Sequence, residues 1–324
     1  MPQLAPAVAS KLRASDSRIV VTGASGWIGK VTLELLYEAL SAEAFRARVV
    51  AFGSTSRTID FGAGSIAQRP LSALLSLPPA PSLVLHLAFL TKDKCTEMDE
   101  TKYRRLNQAL SRTVLESLDM IEATAVFVAS SGAARFAHDP AAAPALRLYG
   151  SAKEADEIAF AAWARSRDRR AVIARIFALS GPHMNKPEAY ALASFIRDAL
   201  AGGPITVKAD RPVFRSYVAI RELMSLVFAA LLDDEVSVLR FSTGGERLEM
   251  QQIAEAVSEN FGDVQIKRPA LSGDSVDEYT GDHDQYSRVL ATYGLEHIAL
   301  AQQVAESAGS FASDPSSERR TVRA

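Results

Sequence analysis

The chain has 324 residues, 48% of them hydrophobic and 23% charged, a composition that is typical of a soluble globular protein. Its formal net charge of −2 argues against a nucleic-acid-binding protein, and no apolar run approaches the ~20 residues that a transmembrane helix needs. A single cysteine, Cys95, excludes a disulfide framework within the chain and favours a reducing, cytoplasmic location, and the scattered histidines argue against a metal site.

The first half of the chain alternates between patterns typical of strands and of helices. Residues 1–17 are rich in alanine but interrupted by Pro2 and Pro6, and we expect them to form a flexible leader. The predicted strands cover residues 18–21, 48–52, 82–88, 125–129 and 170–177, and the predicted helices begin near residues 31, 103 and 149. Such alternation predicts an α/β fold with a doubly wound parallel sheet that occupies residues 18–178.

The pattern changes after residue 178. Gly181-Pro182 and Lys186-Pro187 interrupt the chain, and shorter elements follow. Helices are predicted at residues 189–200, 221–232 and 250–260, and strands at residues 205–208 and 238–242. We expect residues 179–308 to form mainly a smaller mixed α/β lobe over the carboxyl edge of the sheet, with later strands returning to that sheet. Residues 309–324 are rich in serine and arginine with almost no apolar residues, which predicts a disordered tail.

Residues 22–29, Thr-Gly-Ala-Ser-Gly-Trp-Ile-Gly, join the first predicted strand to the first predicted helix. In this context Gly23 permits a tight turn, Gly26 lets backbone amides approach a pyrophosphate, and Gly29 lets the helix pack close to the strand. The positive end of the helix then faces the phosphates. The segment therefore predicts the dinucleotide-binding turn of a Rossmann-like fold. The predicted cofactor contacts in this turn are Gly23, Ser25, Gly26, Trp27, Ile28 and Gly29.

The end of the second predicted strand decides between NAD and NADP. An acidic residue there would hydrogen-bond the adenosine ribose and favour NAD. Here the strand runs into Gly53, Ser54 and Arg57, and the first acid is Asp60. Ser54 and Arg57 could receive a 2′-phosphate instead, because a guanidinium pairs well with phosphate. The sequence thus favours NADP over NAD, with the alternative that Arg57 is only a surface residue.

A tyrosine and a lysine, Tyr149 and Lys153, stand at positions i and i+4 and so share one face of a predicted helix. A free tyrosine has a pKa near ~10 and is a poor base. A nearby ammonium favours the phenolate and brings the pKa closer to working pH. Ser131 follows the predicted strand at 125–129, from which its hydroxyl would project toward the same crevice.

Together these segments resemble the extended short-chain dehydrogenase/reductase superfamily, of the NAD-dependent epimerase/dehydratase type, over nearly the whole chain. The resemblance rests on the glycine turn, His86-Leu87-Ala88, Asn107, Ser131, Tyr149, Lys153, Glu157 and the segments 175–182, 215–218 and 241–245. It implies a catalytic triad of Ser131, Tyr149 and Lys153. The further cofactor contacts that it implies are Leu87, Ala88, Asn107, Tyr149 and Lys153. It also implies that Arg215 binds the phosphates of a nucleotide sugar, with the alternative of a structural salt bridge to an acid such as Glu222.

The activity that the resemblance implies is hydride transfer between a substrate carbon and a nicotinamide ring. Tyr149 would exchange a proton with the reacting oxygen, Ser131 would bind and position that oxygen, and Lys153 would hold the nicotinamide ribose and lower the pKa of Tyr149. Gly132-Ala133 stands where the family's 4,6-dehydratases carry an Asp-Glu pair, so dehydration is not expected. Ala178 replaces an asparagine of the family, which implies an altered substrate pocket.

Residues 181–185, Gly-Pro-His-Met-Asn, resemble a loop of NADP-dependent epimerase-reductases in which the histidine serves as an acid. The cysteine that partners this histidine there would fall at Ala133, so a two-base epimerisation is not supported. His183 is predicted either to line the substrate site or to cap its own loop.

We therefore expect an NAD(P)-dependent epimerase or ketoreductase that acts on a nucleotide-activated sugar. The alternatives are an NADP-dependent reductase of a small carbonyl compound and, from a different class, a dinucleotide-binding regulator without turnover. A homodimer is usual in the family, and the predicted helices that begin near Tyr103 and Tyr149 are candidates for its interface.

Overall fold

The computed structural model describes residues 2–272 and 275–312 of the chain. Its strands are β1 Arg18–Thr22, β2 Val49–Gly53, β3 Arg57–Asp60, β4 Ser65–Pro70, β5 Ser82–His86, β6 Ala123–Ser131, β7 Arg170–Ile176, β8 Ala178–Ser180, β9 Ile205–Thr206, β10 Val213–Arg215, β11 Tyr217–Ala219, β12 Val238–Ser242, β13 Leu248–Glu249, β14 Ile266–Lys267 and β15 Asp277–Tyr279. Its α-helices are α1 Pro6–Ala14, α2 Trp27–Ala39, α3 Ala42–Arg48, α4 Glu100–Met120, α5 Pro144–Arg167, α6 Ala191–Leu200, α7 Ile220–Leu231, α8 Met250–Asn260, α9 His283–Thr292 and α10 Leu300–Ala312.

Within the described residues, the main sheet has 8 strands in the order β12-β7-β6-β5-β1-β2-β4-β3. Every neighbouring pair is parallel except β3 and β4, which form an antiparallel hairpin. The chain moves outward from β1 through β2 and then returns to the other side of β1 with β5, so the predicted doubly wound parallel sheet is confirmed. The strand order reverses between β1 and β5, and the carboxyl ends of these strands are where an open α/β sheet binds its ligand.

The main sheet is buried on both faces. In β1, Ile19 and Val21 pack in one core with residues of α2 and α7, whereas Val20 packs in another core with residues of α4 and α5. Successive side chains of a strand point to opposite faces. A parallel strand that is covered on both sides therefore reads as an unbroken apolar run, which is why β1, β5 and β7 could be identified in the sequence.

The smaller lobe packs around a core of its own, to which α6, α8 and α10 contribute Phe195, Ile253 and Val304. Its short strands pair as β13-β10-β15, β11-β8 and β14-β9. The predicted helices of this region occur as α6, α7 and α8, but α7 packs in the core of the main sheet. β12 returns to the edge of the main sheet, beside β7.

The first residues do not form the flexible leader that we expected. Residues 6–14 form α1, whose buried Val8 and Leu12 face α2 and α7. These side chains stand four residues apart and so share one helix face, and the backbone N–H of Ala5 donates to the hydroxyl of Ser225 at 3.0 Å. At the other end, α10 continues to Ala312, so residues 309–312 are helical; the rest of the expected tail lies outside the described residues.

The β3–β4 hairpin and the helices α3 and α9 were not predicted. The described part of the chain contains no helix that is long and apolar enough to cross a membrane. Among the same residues, no group of three His, Cys, Asp or Glu side chains is placed to hold a metal ion.

Candidate active site

The glycine turn packs tightly between β1, β5 and α2. Gly23 has a φ of 66°, and a Cβ there would lie 2.7 Å from backbone atoms of Leu87 and Ala88. A Cβ at Gly29 would lie 2.6 Å from the carbonyl oxygen of Gly23. Gly26 is the N-cap of α2, and no described side chain caps this helix end. The first backbone amides of α2 can therefore receive a phosphate, as the sequence predicts.

A cleft of about 510 Å³ opens in front of this turn, at the carboxyl ends of β1 and β6. It is lined by most of the residues that were predicted to contact a cofactor and by the whole predicted triad. These lining residues are Gly23, Ser25, Gly26, Trp27, Ile28, Gly29, Ser54, Leu87, Ala88, Ser131, Tyr149 and Lys153. Two predicted cofactor contacts, Arg57 and Asn107, are not among the residues that line it.

Asn107 lies behind the wall of the cleft and supports that wall. Its Oδ1 accepts a hydrogen bond from the backbone N–H of Leu90 at 2.8 Å, and its Nδ2 donates to the carbonyl of Tyr103 at 3.3 Å. The Tyr103 hydroxyl in turn donates to the carbonyl of Leu90 at 2.5 Å. Because the Asn107 amide is used in this way, α4 holds the segment after β5 in place, and the direct cofactor contact of Asn107 stays a prediction.

The rim of the cleft at the end of β2 carries a hydroxyl and a guanidinium. Gly53 lies so close to the buried Gln68 that a Cβ would stand 2.4 Å from its side-chain amide. Ser54 is exposed and lines the cleft, and the guanidinium of Arg57 donates to the hydroxyl of Ser25 in the glycine turn. Arg57 therefore contacts the predicted cofactor site through Ser25 rather than standing apart on the surface.

Helix α5 brings Tyr149 and Lys153 to the end of β6, where Ser131 lies. Gly150 permits this approach, since a Cβ there would lie 2.2 Å from the carbonyl oxygen of Ala133. The Ser131 hydroxyl accepts a hydrogen bond from the backbone N–H of Ala133 at 3.2 Å. The structure thus brings the three predicted catalytic residues together in one cleft.

Lys153 is a buried cation with close neighbours. Its Nζ donates to the carbonyl of Ala129 at 2.7 Å and lies 3.6 Å from the centre of the Phe89 ring. Burial lowers the pKa of Lys153 to about 8, although the carboxylates of Asp156 and Glu157 oppose this shift. Glu157 is itself paired with Arg175, whose guanidinium reaches it at 2.8 Å.

The surroundings of Tyr149 favour its neutral, protonated form. Burial raises the pKa of Tyr149, and the hydrogen bond with Ser131 offsets only part of this shift. The Lys153 ammonium lies 6.0 Å from the centre of the Tyr149 ring. The pKa of Tyr149 therefore lies above its ordinary value, and not below it as the pairing with Lys153 led us to expect.

A second tyrosine, which the sequence analysis missed, also lies at Ser131. Tyr279 ends β15, and its hydroxyl lies 3.1 Å from Ser131 Oγ. Its ring packs 4.9 Å from the ring of Phe177, and the Arg135 guanidinium lies 5.7 Å from the centre of the Tyr279 ring. No local spacing signals this contact, because Ser131 and Tyr279 are 148 positions apart in the chain.

A second cavity of about 430 Å³ adjoins the first and shares Phe177 and Tyr190 with it. Lys208, Arg215 and Tyr279 are among its lining residues. Tyr279 of the second cavity contacts Ser131 of the first, so the triad lies close to the boundary between the two cavities. This places a site for a second molecule beside the predicted cofactor site.

Arg215 lines the second cavity but is held by an acid. Its Nη1 lies 3.1 Å from Asp277 Oδ1 and 2.7 Å from the carbonyl oxygen of Phe214. The suggested partner Glu222 lies elsewhere, where it accepts a hydrogen bond from the backbone N–H of Ile298 at 2.6 Å. Arg215 thus combines the two alternatives, a cavity position and a salt bridge.

His183 lines neither cavity. Its φ is 63°, and its Nε2 lies 2.8 Å from Glu34 Oε2 on α2. The left-handed backbone after Gly181-Pro182 turns the ring toward α2, so the structure does not bring His183 to the predicted substrate site. Asn185, two residues later, lines the cofactor cleft instead.

The segment 181–190 borders the cofactor cleft, which Asn185 and Tyr190 line, and contacts both α2 and the segment after β5. The indole N–H of Trp27 donates to the carbonyl of Pro182 at 2.7 Å, and the Trp27 ring packs 5.2 Å from the ring of Tyr190. On the other wall, Lys186 Nζ lies 2.5 Å from Asp93 Oδ2. We call residues 181–190 the strap.

Several enzymes of nucleotide sugars have solved structures with a similar fold. UDP-N-acetylglucosamine 4-epimerase from Methanobrevibacter ruminantium M1 is 17% identical, with 92% of this chain and 99% of that chain covered and a TM-score of 0.70. The UDP-glucose 4-epimerase of Thermus thermophilus, in complex with NAD, is 19% identical over 91% of this chain and 99% of that chain, with a TM-score of 0.65. A dTDP-glucose 4,6-dehydratase variant from Streptomyces venezuelae with bound NAD is 15% identical over 92% and 98%, with a TM-score of 0.67.

No curated protein sequence matches the chain. A family model, however, matches residues 19–239, more than half of the chain, and its description is NAD dependent epimerase/dehydratase family. The match begins in β1 and runs into β12, so it includes the glycine turn and every member of the predicted triad. The chain therefore belongs to the NAD-dependent epimerase/dehydratase family.

Proposed function

We propose that this protein is an NAD(P)-dependent epimerase or ketoreductase that transfers hydride at a hydroxyl or keto carbon of a nucleotide-activated sugar. The observation that carries this proposal is the position of the triad. Ser131, Tyr149 and Lys153 line a cleft with a glycine turn at one end, and a second cavity with basic residues adjoins it. One cavity suits a dinucleotide and the other suits an anionic substrate.

The backbone that lines the cleft can accommodate a dinucleotide. Gly26 leaves the N-terminus of α2 without a side-chain cap, and a Cβ at that position would lie 3.2 Å from the carbonyl oxygen of Gly23. Glycine therefore gives a pyrophosphate room to approach the helix amides. The bound nicotinamide would supply the hydride chemistry, and the protein supplies alignment and proton transfer.

The roles of the chain's own residues follow from their contacts. Ser131 is positioned to donate a hydrogen bond to the reacting oxygen, and Tyr149 to exchange a proton with it. Lys153, fixed by the carbonyl of Ala129 at 2.7 Å, brings a positive charge that favours the phenolate once the site is occupied. At Gly132, a Cβ would lie 2.4 Å from the ring of Phe177, so an aspartate would not fit there. This supports the view that the protein does not dehydrate its substrate.

The charge in the second cavity supports a diphosphate-linked substrate. Arg215 and Lys208 both line it, and a guanidinium can bind a phosphate through two hydrogen bonds. The solved relatives named above are enzymes of UDP- and dTDP-sugars. The second candidate, an NADP-dependent reductase of a small carbonyl compound, is favoured by the Arg215–Asp277 pair, which neutralises part of this charge.

For the cofactor we propose NADP rather than NAD. Arg57 and Ser54 flank the end of β2, where Gly53 leaves no acidic side chain to meet the ribose, and a 2′-phosphate would meet a guanidinium. Two of the solved relatives named above contain NAD, so the choice is open to direct measurement. We expect NADP to bind more tightly than NAD, and Arg57→Met to remove that difference.

We also propose a cytoplasmic homodimer. The exposed large apolar residues include Ile158 on α5 (61% exposed) and Met120 at the end of α4 (53% exposed), on the helices that the sequence analysis considered. Burial of such side chains between copies is favourable. Light scattering on the purified protein, with Ile158→Glu as the disrupting variant, tests the dimer.

The proposed function is tested first by denaturing the purified protein and identifying any released nucleotide. Tightly held NAD would favour an epimerase and contradict the NADP proposal. A nucleotide-free protein that oxidises NADPH in the presence of a keto-sugar nucleotide would favour a reductase.

Turnover of UDP- and dTDP-sugars is then compared between the wild type and Tyr149→Phe. We expect the variant to lose about 10³-fold in kcat while its dinucleotide affinity stays near that of the wild type. Near-normal activity in Tyr149→Phe would contradict the catalytic assignment. Dinucleotide binding without turnover in the wild type would instead favour a regulator.

A further inference from the structure

The hydroxyl of Ser131 is surrounded by more hydrogen-bonding groups than the predicted triad supplies. Its Oγ accepts from the backbone N–H of Ala133 at 3.2 Å and lies 3.1 Å from the Tyr279 hydroxyl. Tyr149 also hydrogen-bonds Ser131. Three hydroxyl groups, from Ser131, Tyr149 and Tyr279, therefore meet at the place where the reacting oxygen is expected.

The direction of these bonds is restricted by the capacity of a serine hydroxyl, which has one proton to donate and two lone pairs to accept with. The Ala133 N–H occupies one lone pair of Ser131. If Ser131 donated its proton to Tyr279, none would remain for the reacting oxygen. If Tyr279 donates to Ser131 instead, both lone pairs of the serine are occupied and its one proton can be donated to the reacting oxygen.

The surroundings of Tyr279 favour the donating direction. Burial raises the pKa of Tyr279, so its hydroxyl keeps its proton near neutral pH. The ring packs against Phe177 and the Arg135 guanidinium, and Arg135 Nη1 also donates to the carbonyl of Thr280 at 2.9 Å. The backbone is fixed by the parallel pairing of Tyr279 with Arg215. Tyr279 is thus a neutral donor in a fixed position.

We infer that Tyr279 is a positioning residue of the reaction: it donates a hydrogen bond to Ser131 and so directs the one serine proton toward the reacting oxygen. Hydrogen bonds aligned in one direction polarise one another, which strengthens the donor that faces the substrate. No covalent step changes, and no proton leaves Tyr279. The inference rests on the proposed function, because it requires that Ser131 and Tyr149 act on a substrate oxygen.

The inference is tested by a double-mutant cycle of Ser131→Ala and Tyr279→Phe. The phenylalanine keeps the ring against Phe177 and Arg135 and removes only the hydroxyl. We expect Tyr279→Phe to lower kcat about tenfold with little change in KM. In the Ser131→Ala background the same substitution should have almost no further effect on kcat, because the serine through which Tyr279 acts is absent.

The readouts separate this role from a structural one. Thermal unfolding and dinucleotide affinity should be unchanged in Tyr279→Phe, and Tyr37→Phe, in the core beside Phe45 and Phe61, is the control for loss of a tyrosine hydroxyl outside both cavities. Equal loss of kcat in both backgrounds, or a rise in KM alone, would overturn the inference while leaving the proposed function intact. A wild-type protein that turns over no sugar nucleotide would overturn the proposed function and, with it, the inference.

Discussion

The cofactor cleft and the second cavity, which we propose as the substrate cavity, adjoin each other but are built in different ways. The cofactor cleft is built largely from backbone, since Gly23 and Gly29 allow β1, β5 and α2 to meet at distances that no side chain would permit. The substrate cavity is built from side chains such as Arg215 and Tyr279, which strands of the smaller lobe carry to the edge of the main sheet. Changes should therefore affect the first through steric fit and the second through individual polar contacts.

The largest effect should come from Gly23→Ala, a substitution in the cofactor cleft. A Cβ there would lie 2.7 Å from backbone atoms of Leu87 and Ala88, in a residue with a φ of 66°. We expect a loss of about 3–4 kcal/mol in the free energy of unfolding, from strain and collision together, and a loss of dinucleotide binding. Urea unfolding and a binding titration measure both quantities.

Gly202→Ala is the matched control for this substitution. Gly202 has a φ of 69°, yet a Cβ there would meet nothing within 4 Å. The Gly202→Ala variant should lose only about 1 kcal/mol in the free energy of unfolding, from backbone strain alone, and should bind dinucleotide normally. If both variants lost the same free energy of unfolding, backbone strain, and not close packing of the turn, would be the reason that Gly23 must be glycine.

The same contrast explains how much the sequence could predict. The glycine turn is contiguous, and Tyr149 and Lys153 are one helical turn apart, so local spacing was enough to place them. The contact between Ser131 and Tyr279 depends on how the smaller lobe packs, which no local pattern encodes. The turn of His183 toward Glu34 depends on one left-handed residue.

The features that the sequence did not reveal have the same kind of cause. The segment of α1 has prolines and alanines that read as a leader, but Val8 and Leu12 find a complementary surface on α2 and α7. The position of Asn107 behind the cleft wall, where its amide holds Leu90, was likewise not visible in the sequence. In both cases the deciding contact is made with a distant part of the chain.

A second prediction concerns the charge of Lys153, which is buried in the wall of the cofactor cleft. A free lysine titrates near 10.4, whereas burial lowers the pKa of Lys153 to about 8. Below pH 8 the ammonium is present in both folded and unfolded states, so its burial destabilises the fold in full. Between pH 8 and 10.5 the unfolded state binds more protons, and the contribution of this residue to stability becomes more favourable as pH rises.

Lys153→Met should therefore stabilise the ligand-free protein at pH 7 by roughly 2 kcal/mol, after the lost hydrogen bond to Ala129 is deducted. It should also remove the gain in stability between pH 8 and 10, while turnover is lost. Urea unfolding at pH 7 and pH 10 gives the comparison. A variant that is less stable than the wild type at pH 7 would mean that Lys153 is not buried as a charge.

On the substrate side, Arg215→Met should weaken binding of UDP about tenfold, the value of a charge-assisted contact to phosphate. Asp277→Asn should act in the opposite direction, because it releases the guanidinium that Asp277 now holds at 3.1 Å. Calorimetric titration with UDP measures the affinity of each variant. If Asp277→Asn weakens binding as much as Arg215→Met does, the ion pair serves only to hold β15 beside β10.

The smallest effect should appear where side chains of the strap meet the backbone-built cleft. Trp27→Phe keeps a ring beside Tyr190 but removes the indole N–H that donates to Pro182 at 2.7 Å. We expect dinucleotide to dissociate about fivefold faster, in keeping with the loss of one neutral hydrogen bond, with little change in thermal stability. Stopped-flow displacement measures this rate.

Trp163→Phe is the control, since it removes an indole hydrogen bond to Asp119 of 2.8 Å, outside the cleft. If both variants release the dinucleotide at the wild-type rate, the strap does not retain it, and side chains matter for the substrate cavity alone.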